Sequence, residues 1–401
     1  MKAGGPSRMT RPKPGPGLGF MRFDVGVALI LLCAFAAPAL ARQEPAYILV
    51  DIDAGTVLEN RDAGKLWHPA SVTKLMTAYV TFQALRSGEV NPHSRVVVSQ
   101  NALNEPPSKM GYKVGTDMTL DNALKMMLVR SANDIAVAIA ETVGGGSEAA
   151  FVARMNATAR QLGMASTVYV NPNGLPADRQ VTTARDLAVL ARAIWRDFPD
   201  QRDLFKIPAI KAGKKILRSQ NTLLERFRGA NGIKTGFICA SGFNMVATAT
   251  RSGKTLAAVV LGADSANDRA EMAAALLQGG FKPKLFGGNK PSLANFKAGR
   301  APGPAVDLHN QVCGKRQKQE GEEEPLLAGA TGRSALEARF RTMDPVPVVT
   351  GMADKTATKK AVGGGNVPIP RPRPPMPGAA SQADPIFERF ENAFGDAEGD
   401  Q

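Results

Sequence analysis

Histidine and cysteine are scarce in this chain, with three of each among 401 residues. Only His68, His93 and His309 are present, and none stands near Cys239 in sequence, which argues against a zinc site. Cys33 follows Leu31-Leu32 inside an apolar run, without the small residues that precede a lipid-attached cysteine, and is read as part of that run. Cys239 and Cys313 remain as an even pair. In an oxidising compartment they can form a disulfide, or they can stay as two free thiols, since spacing does not prove proximity. The apolar run Val25–Ala37 is too short for a stable membrane span. No internal repeat is evident along the chain.

What is present is an apolar content of 44%, enough for a real core, and a net charge of +14. Residues 1–41 carry Lys2, Arg8, Arg11, Lys13 and Arg22 against Asp24. About +10 is then left for the remainder, and basicity alone does not choose between nucleic acid, membrane and an acidic polymer. The N-terminus is more specific. Basic residues precede the apolar run, and Ala39-Leu40-Ala41 is a small-x-small cleavage signal, the layout of a secretory signal peptide over 1–41. Met21-Arg22 begins a complete n-region by itself, so a start at Met21 is equally consistent with this layout. The mature protein is expected in the periplasm or cell wall.

Patterning predicts an α+β domain over 42–285. AYILVDIDAGTVLENRD reads as two strands around Asp53-Ala54-Gly55, and a helix follows Pro69 and ends at Gly88. Further helices are predicted over Leu120–Val129, Asp134–Thr142, Ser147–Leu162, Thr183–Phe198 and Ala266–Gln278, with a hairpin turning at Arg251-Ser252-Gly253-Lys254. Strands at both ends with helices between imply one antiparallel sheet assembled from the two termini. Beyond about 286 the periodicity fades. Residues 286–384 hold Glu322-Glu323-Glu324 and a proline-rich stretch, and are expected to form a largely disordered tail. Residues 385–401 place Ile386, Phe387, Phe390 and Phe394 near one face of a short helix, whose acidic polar face counts against an anionic membrane surface.

Three short signals carry chemistry. In Ser71-Val72-Thr73-Lys74 a helix would set Lys74 beside the Ser71 hydroxyl, and a lysine whose pKa is lowered can activate a serine nucleophile. Alone, the pattern equally suits a helix N-terminus capped by Ser71. Ser131-Ala132-Asn133 is weaker, since Ser99-Gln100-Asn101, Ser219-Gln220-Asn221 and Ser265-Ala266-Asn267 share its form. It lies between two predicted helices, where a bend can aim side chains into a cleft. Lys234-Thr235-Gly236 offers a cation and a hydroxyl to a carboxylate, and a glycine that lets backbone come close.

Together, Ser-x-x-Lys, Ser-x-Asn and Lys-Thr-Gly follow the order found in acyl-serine penicillin-interacting enzymes. HPASVTKLMTAYV, RSANDIAVAIAE, VNPNGLP, TTARDLAVLARA, NGIKTGFICASGFNMVATA and GADSANDRA closely resemble the D-alanyl-D-alanine carboxypeptidase family of low-molecular-mass penicillin-binding proteins. The resemblance implies a five-stranded antiparallel sheet against a helical cluster. It implies Ser71 as nucleophile, Lys74 as its base, and Ser131 and Asn133 lining the cleft. Lys234, Thr235 and Arg269 would bind the substrate carboxylate, with Gly236 allowing close approach, and the Ser71 and Phe237 N–H groups would form the oxyanion hole. It also implies peptidoglycan stem peptides as substrate, inhibition by β-lactams, no cofactor and no nucleic-acid partner. Many relatives carry a β-rich second domain and an amphipathic helix. No pattern for that domain is legible here, which leaves membrane association in doubt. A D,D-endopeptidase using the same apparatus and a non-catalytic wall-binding protein remain alternatives. A class A β-lactamase needs a glutamate before the Lys-Thr-Gly strand, where NPNGLPADRQ offers only Asp178.

Overall fold

A computed structural model of the chain describes residues 42–283, 290–298, 303–314 and 334–351, with a few scattered positions in the first fifteen. The expected signal peptide and C-terminal helix lie outside the described residues. Everything below concerns the compact unit that begins at Glu44.

The chain opens with β1 (Ala46–Asp51) and β2 (Thr56–Arg61), joined by a turn that Asp51 closes by accepting from the Ala54 amide at 2.9 Å. A 3₁₀ turn, Ala70–Thr73, then leads into α1 (Lys74–Ser87), which stops where Gly88 turns left-handed at φ 74°. The pair β3 (Arg95–Val97) and β4 (Asp117–Thr119) precedes α2 (Leu120–Val129), α3 (Asn133–Val143), α4 (Glu148–Leu162) and α5 (Ala184–Asp197). Thr119, Ser147 and Thr183 cap α2, α4 and α5, each accepting from the amide three residues on. The hairpin β5 (Ala209–Ala212) and β6 (Lys215–Arg218) follows, then β7 (Ala230–Ile238), β8 (Gly242–Arg251) and β9 (Lys254–Ala263). Ser252 and Gly253 both have positive φ, the conformation a tight two-residue hairpin demands, and α6 (Ala266–Phe281) closes the domain.

The main sheet runs β2-β1-β9-β8-β7, all antiparallel, so that strands from the two ends of the domain meet at β1 and β9 as expected. Strand alternation splits the core in two. Along β9, Ala257, Val259 and Leu261 face the large cluster shared with α1, α3 and α5, whereas Leu256, Ala258 and Val260 pack with α6. α3 lies at the centre of the helical layer, with nine of its eleven residues buried. β7, at the sheet edge, faces the 3₁₀ turn, and the site lies between them.

Within the stretch expected as a tail, residues 290–298, 303–314 and 334–351 are described. Three segments of 286–384 pack onto the domain, each inserting one or two apolar side chains. Leu293 is buried beside the β1–β2 turn, its amide bonded to the Gly55 carbonyl at 2.8 Å. Leu308 is buried where its amide meets the Ala240 carbonyl at 2.9 Å, and Leu336 joins the α6 side of the core. β10 (Val346–Val348) pairs in parallel with Ile210–Ala212 of β5. Such short pieces have no periodicity to betray them.

Cys239 and Cys313 are joined as a disulfide across a sequence separation of 74 residues, which resolves the alternatives left open by spacing. Closing a loop of that size restricts the unfolded chain by about 4 kcal/mol in the chain-entropy picture. A Cys313→Ser variant should lose about 2–4 kcal/mol of stability, read from the shift of its denaturant midpoint. Its cleft should still react at 25 °C, because Lys234, Thr235 and Gly236 stay paired with β8 when the bond is lost.

Candidate active site

Ser71 lies in the 3₁₀ turn one step before α1, and its side chain caps neither element. The i, i+3 relation puts Lys74 Nζ 3.1 Å from Ser71 Oγ. Lys74 is fully buried, and Nζ also reaches Asn133 Oδ1 at 2.7 Å and the Asn173 carbonyl at 2.6 Å. Burial holds its pKa well below the ordinary lysine value, and the nearby Lys234 charge pushes the same way, opposed by Glu105 and Asp134.

Ser131 and Asn133 occupy the bend between α2 and α3, where Ser131 adopts a positive φ of 63°. Ser131 Oγ accepts from Lys234 Nζ at 2.9 Å, bridging 103 residues of sequence. Asn133 is braced by the 105–112 loop, donating its amide to Ser108 O at 2.7 Å and its side chain to Pro106 O at 2.9 Å. Next to it Asp134, buried, accepts from the Met110 and Gly111 amides.

Lys234 projects from edge strand β7, bonded also to the Thr235 carbonyl at 2.8 Å. Its pKa is pushed down to about 7, first by burial and then by Arg269. Gly236 comes so near the 3₁₀ turn that a Cβ there would lie 2.9 Å from the Ser71 nitrogen and 3.0 Å from that of Val72. Thr235 is buried on the same strand, and Phe237 stacks on Phe243 at 4.2 Å between centroids with 41% of its surface exposed. Arg269 is not a surface residue. It is 3% exposed, reaches the Gly236 and Gln220 carbonyls at 3.5 and 3.2 Å, and has no acidic partner among the described residues. Its Nε is buried without a hydrogen bond. Of the nine residues singled out in the sequence, hydrogen bonds join Ser71, Lys74 and Asn133 in one group and Ser131 and Lys234 in another, while Gly236 lies against the Ser71 turn and Arg269 reaches the Gly236 carbonyl.

Four contributors were not singled out. Asn173 supplies a backbone carbonyl to Lys74, and no side-chain pattern can advertise that. Its own side chain donates to Glu105 Oε2 at 2.9 Å. This makes Glu105, on the opposite loop, the carboxylate that meets the Asn-Pro-Asn-Gly segment, and burial raises its pKa. Gly174, at φ +90°, passes so close to the 3₁₀ turn that a Cβ would fall 1.9 Å from Ala70 O. Asn244 holds the turn from the sheet side, donating to the His68 and Pro69 carbonyls at 3.0 and 3.1 Å. The VNPNGLP and NMVATA blocks contain three of these residues, which was the available signal. Among the described residues no group of three or more His, Cys, Asp or Glu side chains is arranged to hold a metal ion.

Comparison with known proteins bears on the whole arrangement. The chain is 34% identical over 244 residues to the D-alanyl-D-alanine carboxypeptidase DacC of Escherichia coli strain K12, covering 59% of this chain and 61% of the relative. It thus spans about three fifths of the length of such curated relatives. The crystal structure of penicillin-binding protein 6B from Escherichia coli superposes with a TM-score of 0.56 at 33% identity, over 60% of this chain and 80% of that one. That of penicillin-binding protein D2 from Listeria monocytogenes, in its cefotaxime-bound form, gives 0.54 at 30% identity over 59% and 96%. The neighbours share the five-stranded antiparallel sheet with its flanking helices. The D-alanyl-D-alanine carboxypeptidase model of peptidase family S11 matches residues 34–265, a stretch that contains Ser-x-x-Lys, Ser-x-Asn and Lys-Thr-Gly, and the chain belongs to that family.

Proposed function

We propose that the protein is a serine-type D-Ala-D-Ala carboxypeptidase that trims peptidoglycan stem peptides in the periplasm or cell wall. The observation that carries this reading is the hydrogen bonding of Lys74. A neutral amine has two N–H donors and one lone pair. Asn133 Oδ1 and Asn173 O take the two donors, which leaves the lone pair for the Ser71 proton.

The chemistry follows from that arrangement. Ser71 Oγ attacks the carbonyl of the penultimate D-alanine while its proton passes to Lys74. The new C–O bond leaves an oxyanion in reach of the Ser71 and Phe237 N–H groups, each such donor being worth about 2.7–4 kcal/mol. Collapse breaks the C–N bond, and the departing amine takes a proton through the Lys74, Ser131 and Lys234 network. Water then cleaves the ester and restores Ser71. Lys234, Thr235 and Arg269 hold the terminal carboxylate, and the buried Arg269, with no acidic partner among the described residues, fits that role. A β-lactam would acylate Ser71 in the same way, and one relative is known in cefotaxime-bound form.

The test is direct. The mature chain is incubated with a fluorescent penicillin and, separately, with a D-Ala-D-Ala stem peptide. Label mapped by mass spectrometry to Ser71, together with release of D-alanine, is the expected result. Label without release would replace the carboxypeptidase reading by cross-link cleavage, and absence of both in folded protein would favour a wall-binding role.

Lys234 gives a second expectation. A substrate carboxylate beside it favours the protonated form, so its pKa, about 7 in the empty cleft, must rise on binding. At pH 8 the free group is mostly neutral and the bound one is charged. Binding of a stem peptide to a Ser71→Ala variant should therefore take up protons at pH 8. The uptake is read from the dependence of binding enthalpy on buffer ionisation heat, and it should vanish when Lys234→Met is added.

A further inference from the structure

The 105–112 loop that braces Asn133 has an outer side as well. Together with the β5–β6 hairpin and the end of β10 it borders an open cavity of about 680 Å³. The cavity is built, not incidental. Val346–Val348 is locked in register with Ile210–Ala212, and the Gly351 amide bonds the Asp117 carbonyl at 2.7 Å, while Arg95 holds the Asp117 side chain at 2.6 Å. Its lining contains Lys109, Arg130 and Lys215 and no acidic residue. Lys109 is committed to the Leu103 carbonyl at 2.9 Å. Arg130 and Lys215 have no carboxylate partner among the described residues. Tyr112, Leu217 and Val348 add apolar lining, Leu217 from the same strand as Lys215. Arg130 directly precedes Ser131, and its carbonyl accepts from Ser108 Oγ at 3.0 Å, so this cavity shares a wall with the reactive cleft.

Resting on the peptidase reading above, we propose that this cavity, completed by the strap 346–351, is a second subsite of the enzyme. It binds a carboxylate-bearing part of the substrate peptide, distant from the bond that is cut. Two cations without a carboxylate partner among the described residues, together with apolar lining, suit an acidic peptide, which brings both charge and side-chain area. An isolated phosphate would use only the first. The subsite would make the enzyme prefer substrates with a free carboxylate upstream of the D-alanine pair over the same peptides with that group amidated.

The experiment compares D-alanine release from two stem peptides that differ only in acid against amide at the upstream position. Wild-type protein should show a kcat/KM ratio of about 10 or more in favour of the acid, the scale of one charge-assisted pair. Arg130→Gln with Lys215→Gln should bring the ratio near 1, with most of the change in KM. Thr350→Trp, which adds bulk to the cavity from the strap and leaves both cations in the sequence, should do the same. Penicillin labelling of Ser71 in each variant reports separately on the fold and on the peptidase reading. A ratio near 1 in the wild type, with labelling intact, would overturn the subsite alone. So would a ratio that survives both variants.

Discussion

Replacing Lys74 by methionine should lower the rate at which penicillin acylates Ser71 by a factor of about 10²–10⁴, the usual contribution of a positioned general base. Methionine keeps the volume and removes the donor that binds Asn133 and Asn173. Two acceptors are then left without Nζ, which costs stability, but a buried amine that must shed its charge is removed as well. The two effects oppose each other, so the fold should survive while the rate falls. A stopped-flow or gel-based acylation time course measures the rate, and circular dichroism checks the fold. Ser71→Ala is the companion, with no covalent label at any time. The pH profile separates a base from a structural strut. In the wild type acylation should fall as pH drops through the lowered pKa of Lys74, because the protonated form has no lone pair to receive the serine proton. In Lys74→Met that acidic limb should be absent. A residual rate carrying the same limb would point to a different base.

The division between what the sequence told and what it hid follows the range of each interaction. Ser71 and Lys74 were legible because residues three apart on a helical turn share a face, and the structure brings them to 3.1 Å. Ser131 and Lys234 were legible only through the order of family blocks, since nothing local relates residues 103 positions apart. The strands that assemble from both ends of the domain could be anticipated from alternation, and the turn at Ser252-Gly253 from its residue types. Backbone acceptors could not. The Asn173 carbonyl is chemically identical to any other until the chain folds it against Lys74. The strap at 346–351 was hidden for another reason. Its gain comes from one buried valine and a parallel pairing with β5, and neither leaves a pattern long enough to read. Arg269 shows a third case, in which the family order suggested its place in the site but only burial shows how fully it is withdrawn from water.

Gly174→Ala should be the most disruptive single-methyl change available near the site. Two costs combine. The backbone at φ +90° lies where an L side chain is strained, typically by about 1–3 kcal/mol. The added Cβ would also fall 1.9 Å from Ala70 O and 2.9 Å from the Ser71 nitrogen, and both neighbours are main chain, so no side-chain rotation relieves the clash. Forced repacking of this kind adds about 1–3 kcal/mol. The 3₁₀ turn must therefore move away from the Asn173-Gly174 segment. Lys74 is fixed to that segment through the Asn173 carbonyl, while Ser71 rides on the turn, and β7 lies so close to the same turn that a Cβ on Gly236 would fall 2.9 Å from the Ser71 nitrogen. Displacement in one direction is blocked by β7, so the turn distorts instead of sliding. A loss of about 2–6 kcal/mol in unfolding free energy is expected, together with acylation slowed at least as much as in Lys74→Met. Gly253→Ala is the control, because it too has positive φ, +77°, but meets nothing within 4 Å of an added Cβ. If both variants lose stability equally and label equally fast, backbone strain alone accounts for the effect, and the contact between Gly174 and the nucleophile turn has no part in positioning Ser71.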